Sequence, residues 1–165
     1  MTRKHRDYLL PALMPSLDDF KRHLRITSDD LDAELHVKLM AAFNAAENMI
    51  GQVIALSRFT VSGPFLHRFP LPSRPIHQVE TVSVDGVPVE NFTVEGRDVI
   101  LPDDVSGSEV EVTYVAGMDD VPFDIQAAIL LHAAALFNNP VDSVETLPKA
   151  STNLLRPYRL WELDL

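Results

Sequence analysis

The sequence predicts an α+β fold: a helical bundle of about three to four helices carrying an inserted antiparallel β module of about five short strands. Three features point there. Helical periodicity runs from Ser16 to Ile50, short β-branched and aromatic runs separated by glycine and proline fill Arg58–Gly117, and a second helical run follows Val121-Pro122. A chain of 165 residues suits one compact domain. Its expected parts are an irregular basic arm over 1–15, helices over 16–51, the β module over 57–117, a buried helix over 121–139 and a C-terminal extension over 141–165.

The arm begins Met1-Thr2-Arg3-Lys4-His5-Arg6-Asp7, and the apolar stretch after it is stopped by Pro11 and Pro15. No apolar run long enough for a signal peptide follows, and none reaches the roughly 18 uncharged residues of a membrane span. The chain is therefore expected to be soluble and made where it is used. Ser16 is placed to cap a short helix, with Asp18 and Asp19 in a first turn where carboxylates favour the helix dipole. Leu17, Phe20 and Leu24 form one apolar stripe. Thr27 restarts the pattern with Asp30 in capping-box position. Leu31, Leu35, Leu39, Phe43, Ala46 and Ile50 then keep helical period as far as Gly51, which sits where a C′ residue belongs. A long helix is expected over about Ser28–Ile50.

Five of the six glycines and six of the twelve prolines lie between Arg58 and Gly117, which marks a succession of turns. Candidate strands are Arg58–Ser62 and Phe65–Phe69, broken by Gly63-Pro64. His77–Val84 is followed by Asp85-Gly86, a strong hairpin signal. Asn91–Glu95 and Asp98–Leu101 flank a turn at Gly96-Arg97. Glu109–Val115 alternates, with Val110, Val112 and Tyr114 on one face. The next helix starts at Asp119-Asp120-Val121-Pro122. Phe123–Phe137 is apolar nearly all round, so this should be the most buried helix. Asn138-Asn139-Pro140 ends it. Pro157 should break any helix in the last segment, which is expected to dock only in part.

Net charge is −10, with six of the 14 basic residues inside Met1–Arg25. From Glu80 to Asp124 there are 12 acidic residues and a single base, Arg97. Such a surface repels phosphate and argues against general nucleic-acid binding; its plainest reading is a solvated, solubilising face. The absence of cysteine removes disulfides, thiolate metal sites and a cysteine nucleophile together. Nucleophile-elbow, phosphate-loop, dinucleotide and zinc-protease motifs are all missing. The histidines at 5, 23, 36, 67, 77 and 132 show no metal-ligand spacing, and His132 reads as a satisfied core or interface residue. Asp29, Asp30, Asp32 and Glu34 lack the central glycine and closing glutamate of a calcium loop, and helix-cap and dipole chemistry accounts for Asp29 and Asp30. No catalytic, cofactor or metal residue is expected. Two apolar features remain: the proline-rich run with Phe69, Leu71, Pro72 and Ile76, and the tail with Leu154, Leu155, Tyr158 and Trp161. Both fit ordinary packing or subunit contact.

In order and spacing these pieces resemble the head–tail connector, or adaptor, proteins of tailed bacteriophages, often labelled DNA-packaging proteins. The resemblance rests on Leu17-Asp18-Asp19-Phe20-Lys21-Arg22-His23-Leu24-Arg25-Ile26 before the Asp29-Asp30 helix start, and on the proline-bracketed strand entry Phe69–Val79. It rests further on Val112–Gly117 followed by Val121-Pro122 and Ala127–Asn139, and on Leu154-Leu155-Arg156-Pro157-Tyr158-Arg159. It spans residues 16–160. Phe137-Asn138-Asn139-Pro140 departs from the tyrosine–x–asparagine–arginine often found after the family's last long helix, and the basic arm has no counterpart. The resemblance implies a non-enzymatic structural protein without cofactor or membrane contact. It implies a dodecameric ring of this chain beneath the portal protein, through which DNA passes without specific binding, with a tail or tail-completion protein on the far side. Assembly would take place in the bacterial host cytoplasm, and the assembled protein would reside in the virion neck. The competing readings are a tail-completion or other prophage structural protein, and a small hydrolase using converging Asp and His residues.

Overall fold

A computed structural model describes residues 3–9, 15–139 and 148–160. These residues form four α-helices and a five-stranded antiparallel sheet, with a second sheet of three strands. The α+β class read from the sequence is the observed one. Two compact units are present, one made of an N-terminal strand with residues 55–119, the other holding the helices.

In the sheet unit, β1 (Arg3–Tyr8), β2 (Ser57–Pro64), β4 (Ile76–Val84), β5 (Val87–Pro88) and β8 (Glu109–Ala116) lie in the order β1-β2-β8-β4-β5. The short strands β3 (Arg68–Pro70), β6 (Thr93–Glu95) and β7 (Asp98–Ile100) form the other sheet, ordered β3-β7-β6. β8 alternates as expected: Val110, Val112, Tyr114 and Ala116 are buried. Asp85 and Gly86 have φ of 49° and 81°, the paired positive values of a tight hairpin turn. Tyr114 stacks on Phe59 with ring centroids 5.6 Å apart, and its Oη accepts the Ser73 N–H at 3.1 Å. Burial pushes the Tyr114 phenol up from its ordinary pKa.

Three expectations for this unit are corrected. The arm is not irregular over its described part, because Arg3–Tyr8 pairs with β2 from Arg3↔Ser62 to Tyr8↔Ser57. A strand made mostly of charged residues carries no apolar alternation to read, although charge is what edge strands commonly use. Here Lys4 Nζ lies 4.7 Å from the centroid of the Phe59 ring, so a cation covers that aromatic. β2 also runs through Gly63-Pro64, which pair with Val110 and Glu109; proline is tolerated because Phe65 N–H, one residue on, donates to Ser108 O, so strand alternation turns the place of the missing Pro64 N–H away from β8. Finally, the strand expected at Phe65–Phe69 is limited to Arg68–Pro70 and joins β7 in the smaller sheet.

The helical unit contains α1 (Leu17–Leu24), α2 (Asp32–Ile50), α3 (Phe123–Asn138) and α4 (Lys149–Leu155), which runs into a 3₁₀ turn at Arg156–Tyr158. Ser16 caps α1 in a full capping box: its Oγ accepts the Asp19 N–H at 3.1 Å, and Asp19 Oδ2 accepts the Ser16 N–H at 3.0 Å. These hydrogen bonds hold the Asp19 carboxyl below its ordinary pKa. α2 starts later than expected, and Thr27 does not cap it. Ser28 Oγ instead accepts the Asp30 N–H at 3.2 Å, and Leu31 precedes the helix with no side-chain cap. Asp29 and Asp32 pair with a cation instead of capping: Lys21 Nζ donates to Asp29 Oδ1 and, at 2.7 Å, to Asp32 Oδ1. That arrangement ties the end of α1 to the start of α2.

α3 is buried along one stripe rather than all round. Ile125, Ala128, Ile129, His132 and Ala133 are inside, while Leu130, Leu131, Leu136 and Phe137 are only half-buried. Its helical neighbours are α1, α2 and α4. Pro157 ends α4 as expected, within the 3₁₀ turn. The segment after it returns to α2, where Leu160 N–H donates to Ile50 O at 2.9 Å and Gln52 Nε2 to Tyr158 O at 2.6 Å. Leu147 and residues 161–165 lie outside the described residues.

Two outcomes are expected. Gly117 has φ +137°, and a Cβ there would lie 2.6 Å from Leu56 Cα and 2.8 Å from Ala55 O. Gly117→Ala should therefore cost about 2 kcal/mol or more, read as a lower urea midpoint at unchanged m value. In the Lys21 cluster the lysine side chain is 10% exposed and Asp29 is 88% exposed. Removing both acids leaves a buried cation unpaired, whereas removing the lysine leaves solvated carboxylates. Asp29→Asn with Asp32→Asn should thus lower Tm by a few degrees more than Lys21→Met does; equal drops would contradict this placement.

Candidate assembly surfaces

The two apolar features singled out from sequence divide between core and surface. Phe69 and Leu71 are buried in the sheet unit, 3% and 1% exposed. Leu71 N–H donates to Arg97 O at 2.8 Å and seats the loop that leads to β4. Pro72 is exposed and Ile76 half-buried. In the helical unit Leu155 is fully buried, while Leu154 and Tyr158 are half-buried. Trp161 lies outside the described residues. Phe69, Leu71 and Leu155 therefore hold the fold of their own subunit, and Pro72, Ile76, Leu154 and Tyr158 are the members that reach the surface. A large apolar side chain that the sequence reading passed over is far more open: Phe123, at the start of α3, is 87% exposed. The sequence reading takes Phe123–Phe137 as one buried helix and does not single this residue out.

Charge is distributed along the five-stranded sheet. β1, at one edge, carries Arg3, Lys4, His5 and Arg6 against Asp7. Leu9 N–H donates to Leu56 O at 3.0 Å, continuing the β1–β2 ladder. Strand alternation then directs the amides of Lys4, Arg6 and Tyr8 away from β2, along the outer edge. At the opposite edge, the β4–β5 hairpin borders two clefts. A cleft of about 490 Å³ is lined by Val87, Val89, Pro102 and Val105 with Asp85, Glu90 and Asp104 among its acids. One of about 150 Å³ is lined by Ser83, Asp85, Gly86, Glu109 and Glu111. No lysine or arginine lines either cleft. Asp85 also fixes the local backbone: its carboxylate accepts the Ser108 and Glu109 N–H groups, each at 2.9 Å. The Asp85-Gly86 turn was legible in sequence; its carboxylate reaching some 20 residues ahead was not, because nothing local marks such a contact.

Among the described residues no group of three or more His, Asp or Glu side chains could hold a metal ion, and no helix is long and apolar enough to cross a membrane. His132 is a core residue as read, but its Nδ1 has no hydrogen-bond partner among the described residues. Burial lowers its pKa from the ordinary 6.5.

Residues 14–86 match the family described as phage gp6-like head-tail connector protein. The resemblance read from the sequence is borne out. Among solved structures, the fold is similar to a chain of the neck of an empty gene transfer agent (GTA) particle computed with C6 symmetry. That likeness has TM-score 0.75 and 21% identity, covering 96% of this chain and 97% of that one. A chain in the virion of the native GTA particle gives TM-score 0.75 and 21% identity, with 97% of this chain and 96% of that one covered. A chain of the native GTA neck computed with C12 symmetry gives 0.75 and 20% identity, covering 96% and 97%. No curated protein matches the chain. The connector match takes in α1, α2 and the sheet as far as the Asp85-Gly86 turn, while the fold likeness extends over nearly the whole chain.

A pH dependence follows from His132. A lowered folded pKa means that the unfolded chain takes up the proton first as pH falls. The contribution is complete above the ordinary value of 6.5 and declines below it. Chemical denaturation at about pH 7.5 and about pH 5.5 should show a stability loss that His132→Leu reduces; an identical loss in both proteins would remove His132 as its source.

Proposed function

We infer that this protein is a structural component of the neck of a tailed-phage-like particle, joining head to tail as a ring through which DNA passes. The observation that carries this is the coincidence of the connector match over residues 14–86 with a neck-protein fold over nearly the entire chain. The related necks are computed with sixfold and twelvefold symmetry, which supports a closed ring of copies of this chain, taken here as a dodecamer. The portal protein lies on one side of the ring and a tail or tail-completion protein on the other. Assembly takes place in the host cytoplasm. The protein is not an enzyme, and the surviving candidate contacts are Pro72, Ile76, Leu154, Tyr158 and Trp161. The acid-rich stretch from Glu80 to Asp124 favours DNA passage without specific binding, since phosphate affinity depends on cations.

Mixing the purified protein with its cognate portal and imaging the mixture by electron microscopy tests the reading. Ring-shaped density below the portal, with sixfold or twelvefold symmetry, is expected. A portal that gains no density would sink the connector function. Leu154→Glu should lower portal occupancy while leaving the melting profile cooperative. If this variant binds as well as the parent, the tail is not the contact and the connector reading stands.

A further inference from the structure

We propose that α4 of one copy docks in the cleft beside the β4–β5 hairpin of the next, setting the cations of the helix on the acids of the cleft. The proposal rests on the ring reading above and names two surfaces that build the ring. α4 turns one stripe to solvent. Lys149, Asn153 and Arg156, at helical spacings of four and three, are exposed, while Ser151 and Leu155 on the far side are buried. Arg156 keeps helical torsions, with φ −54° and ψ −41°, so it stays on that stripe at the start of the 3₁₀ turn. Seven residues of helix place the two cations about 10 Å apart along the axis. Neither cationic side chain has an ion-pair or hydrogen-bond partner among the described residues. Exposed Ala150 and half-buried Leu154 lie beside the stripe, which gives the helix an apolar shoulder.

The cleft carries the opposite charge beside matching apolar surface. Glu90 and Asp104 are exposed carboxylates with no partner among the described residues. Val87, 66% exposed, and Val105 supply apolar lining, and the volume of about 490 Å³ admits a side chain such as Leu154. A second copy is the occupant because a chain of net charge −10 repels its own copies unless a contact joins its unpaired cations to its acids. α4 puts two such cations on one face, and the cleft gathers the acids. Pro88 in β5 lacks an N–H, which blunts that edge against an added strand. A helix needs no backbone pairing there and docks through side chains alone. One patch thus meets a different patch on the next copy, the arrangement that generates rings when the rotation closes.

Charge reversal tests it, with ring occupancy on the cognate portal as the readout and a thermal melt as the check on folding. Lys149→Glu with Arg156→Glu sets an acidic helix against an acidic cleft; Glu90→Lys with Asp104→Lys sets a basic helix against a basic cleft. Each double variant alone should lose at least about tenfold in occupancy at low salt. An equal mixture of the two should restore rings, because acidic helices then enter basic clefts, and basic helices acidic clefts, around an alternating ring. Where a reversed protein does not melt cooperatively, Lys149→Gln with Arg156→Gln, or Glu90→Gln with Asp104→Asn, takes its place and should lower occupancy about threefold. Variants that form rings as well as the parent, or a mixture of reversed proteins that stays unassembled, overturn the helix-to-cleft contact and leave the connector function standing. If the parent itself forms no ring on the portal, the function and this interface fall together.

Discussion

β8 is paired on both sides over nearly all of its length, and the sheet depends on that double pairing. β2 lies against one edge from Ser57↔Ala116 to Pro64↔Glu109, and β4 lies against the other from Ile76↔Ala116 to Val84↔Val110. β1 reaches the sheet only through β2, and β5 only through β4. A central strand leaves no backbone donor or acceptor to water, so its inward face has to be apolar to offset the cost of ordering it. Val110, Val112 and Tyr114 meet that demand, and Tyr114 adds the acceptor for Ser73 N–H in the loop before β4. The chain leaves β8 at Gly117, whose N–H donates to Pro75 O at 2.9 Å and whose missing Cβ lets residues 55 and 56 pass close by. Sheet centre, loop and exit are thus one constraint expressed by a few residues.

Elements whose signal was local were legible in the sequence: the period-two run of β8, the Asp85-Gly86 turn, the Ser16 cap and the helical stripe ending at Gly51. What escaped was carried by polar residues acting at a distance. β1 is a strand because β2 offers it an edge and Phe59 offers its cations a ring face, neither visible in Arg3–Tyr8 alone. Asp29 looked like a capping residue because its role depends on Lys21, eight positions earlier, turning back to meet it. Hydrophobic residues in a proline-rich run were equally ambiguous. Phe69 and Leu71 proved to be core, and only the fold distinguishes them from Pro72 and Ile76 at the surface.

The same distinction bears on assembly. α3 is apolar on nearly every face, yet its own subunit covers one stripe, which leaves Phe123 in the open and Leu131 and Phe137 partly so. Apolar surface of this kind is a cost in water unless another surface covers it. In the proposed ring a subunit carries that cost only until assembly, and the acid-rich surface keeps free copies apart meanwhile. Charge thus opposes random association of free copies.

In the proposed ring, symmetry sharpens the requirement on any surface that would face passing DNA. In a ring, each cation contacting phosphate is repeated in every subunit. Affinity from counterion release grows with the number of phosphates neutralised, so even one such residue per copy adds up to strong, salt-sensitive binding. Tight binding of that kind would act as a brake on a polymer that has to slide in both packaging and ejection. Acidic residues reverse the sign of the repeated term, and screening confines their repulsion to roughly 8 Å at physiological salt. A lining of that sort centres the duplex without holding it. Arg97 is the one basic residue between Glu80 and Asp124, which would suit this stretch to border the proposed passage.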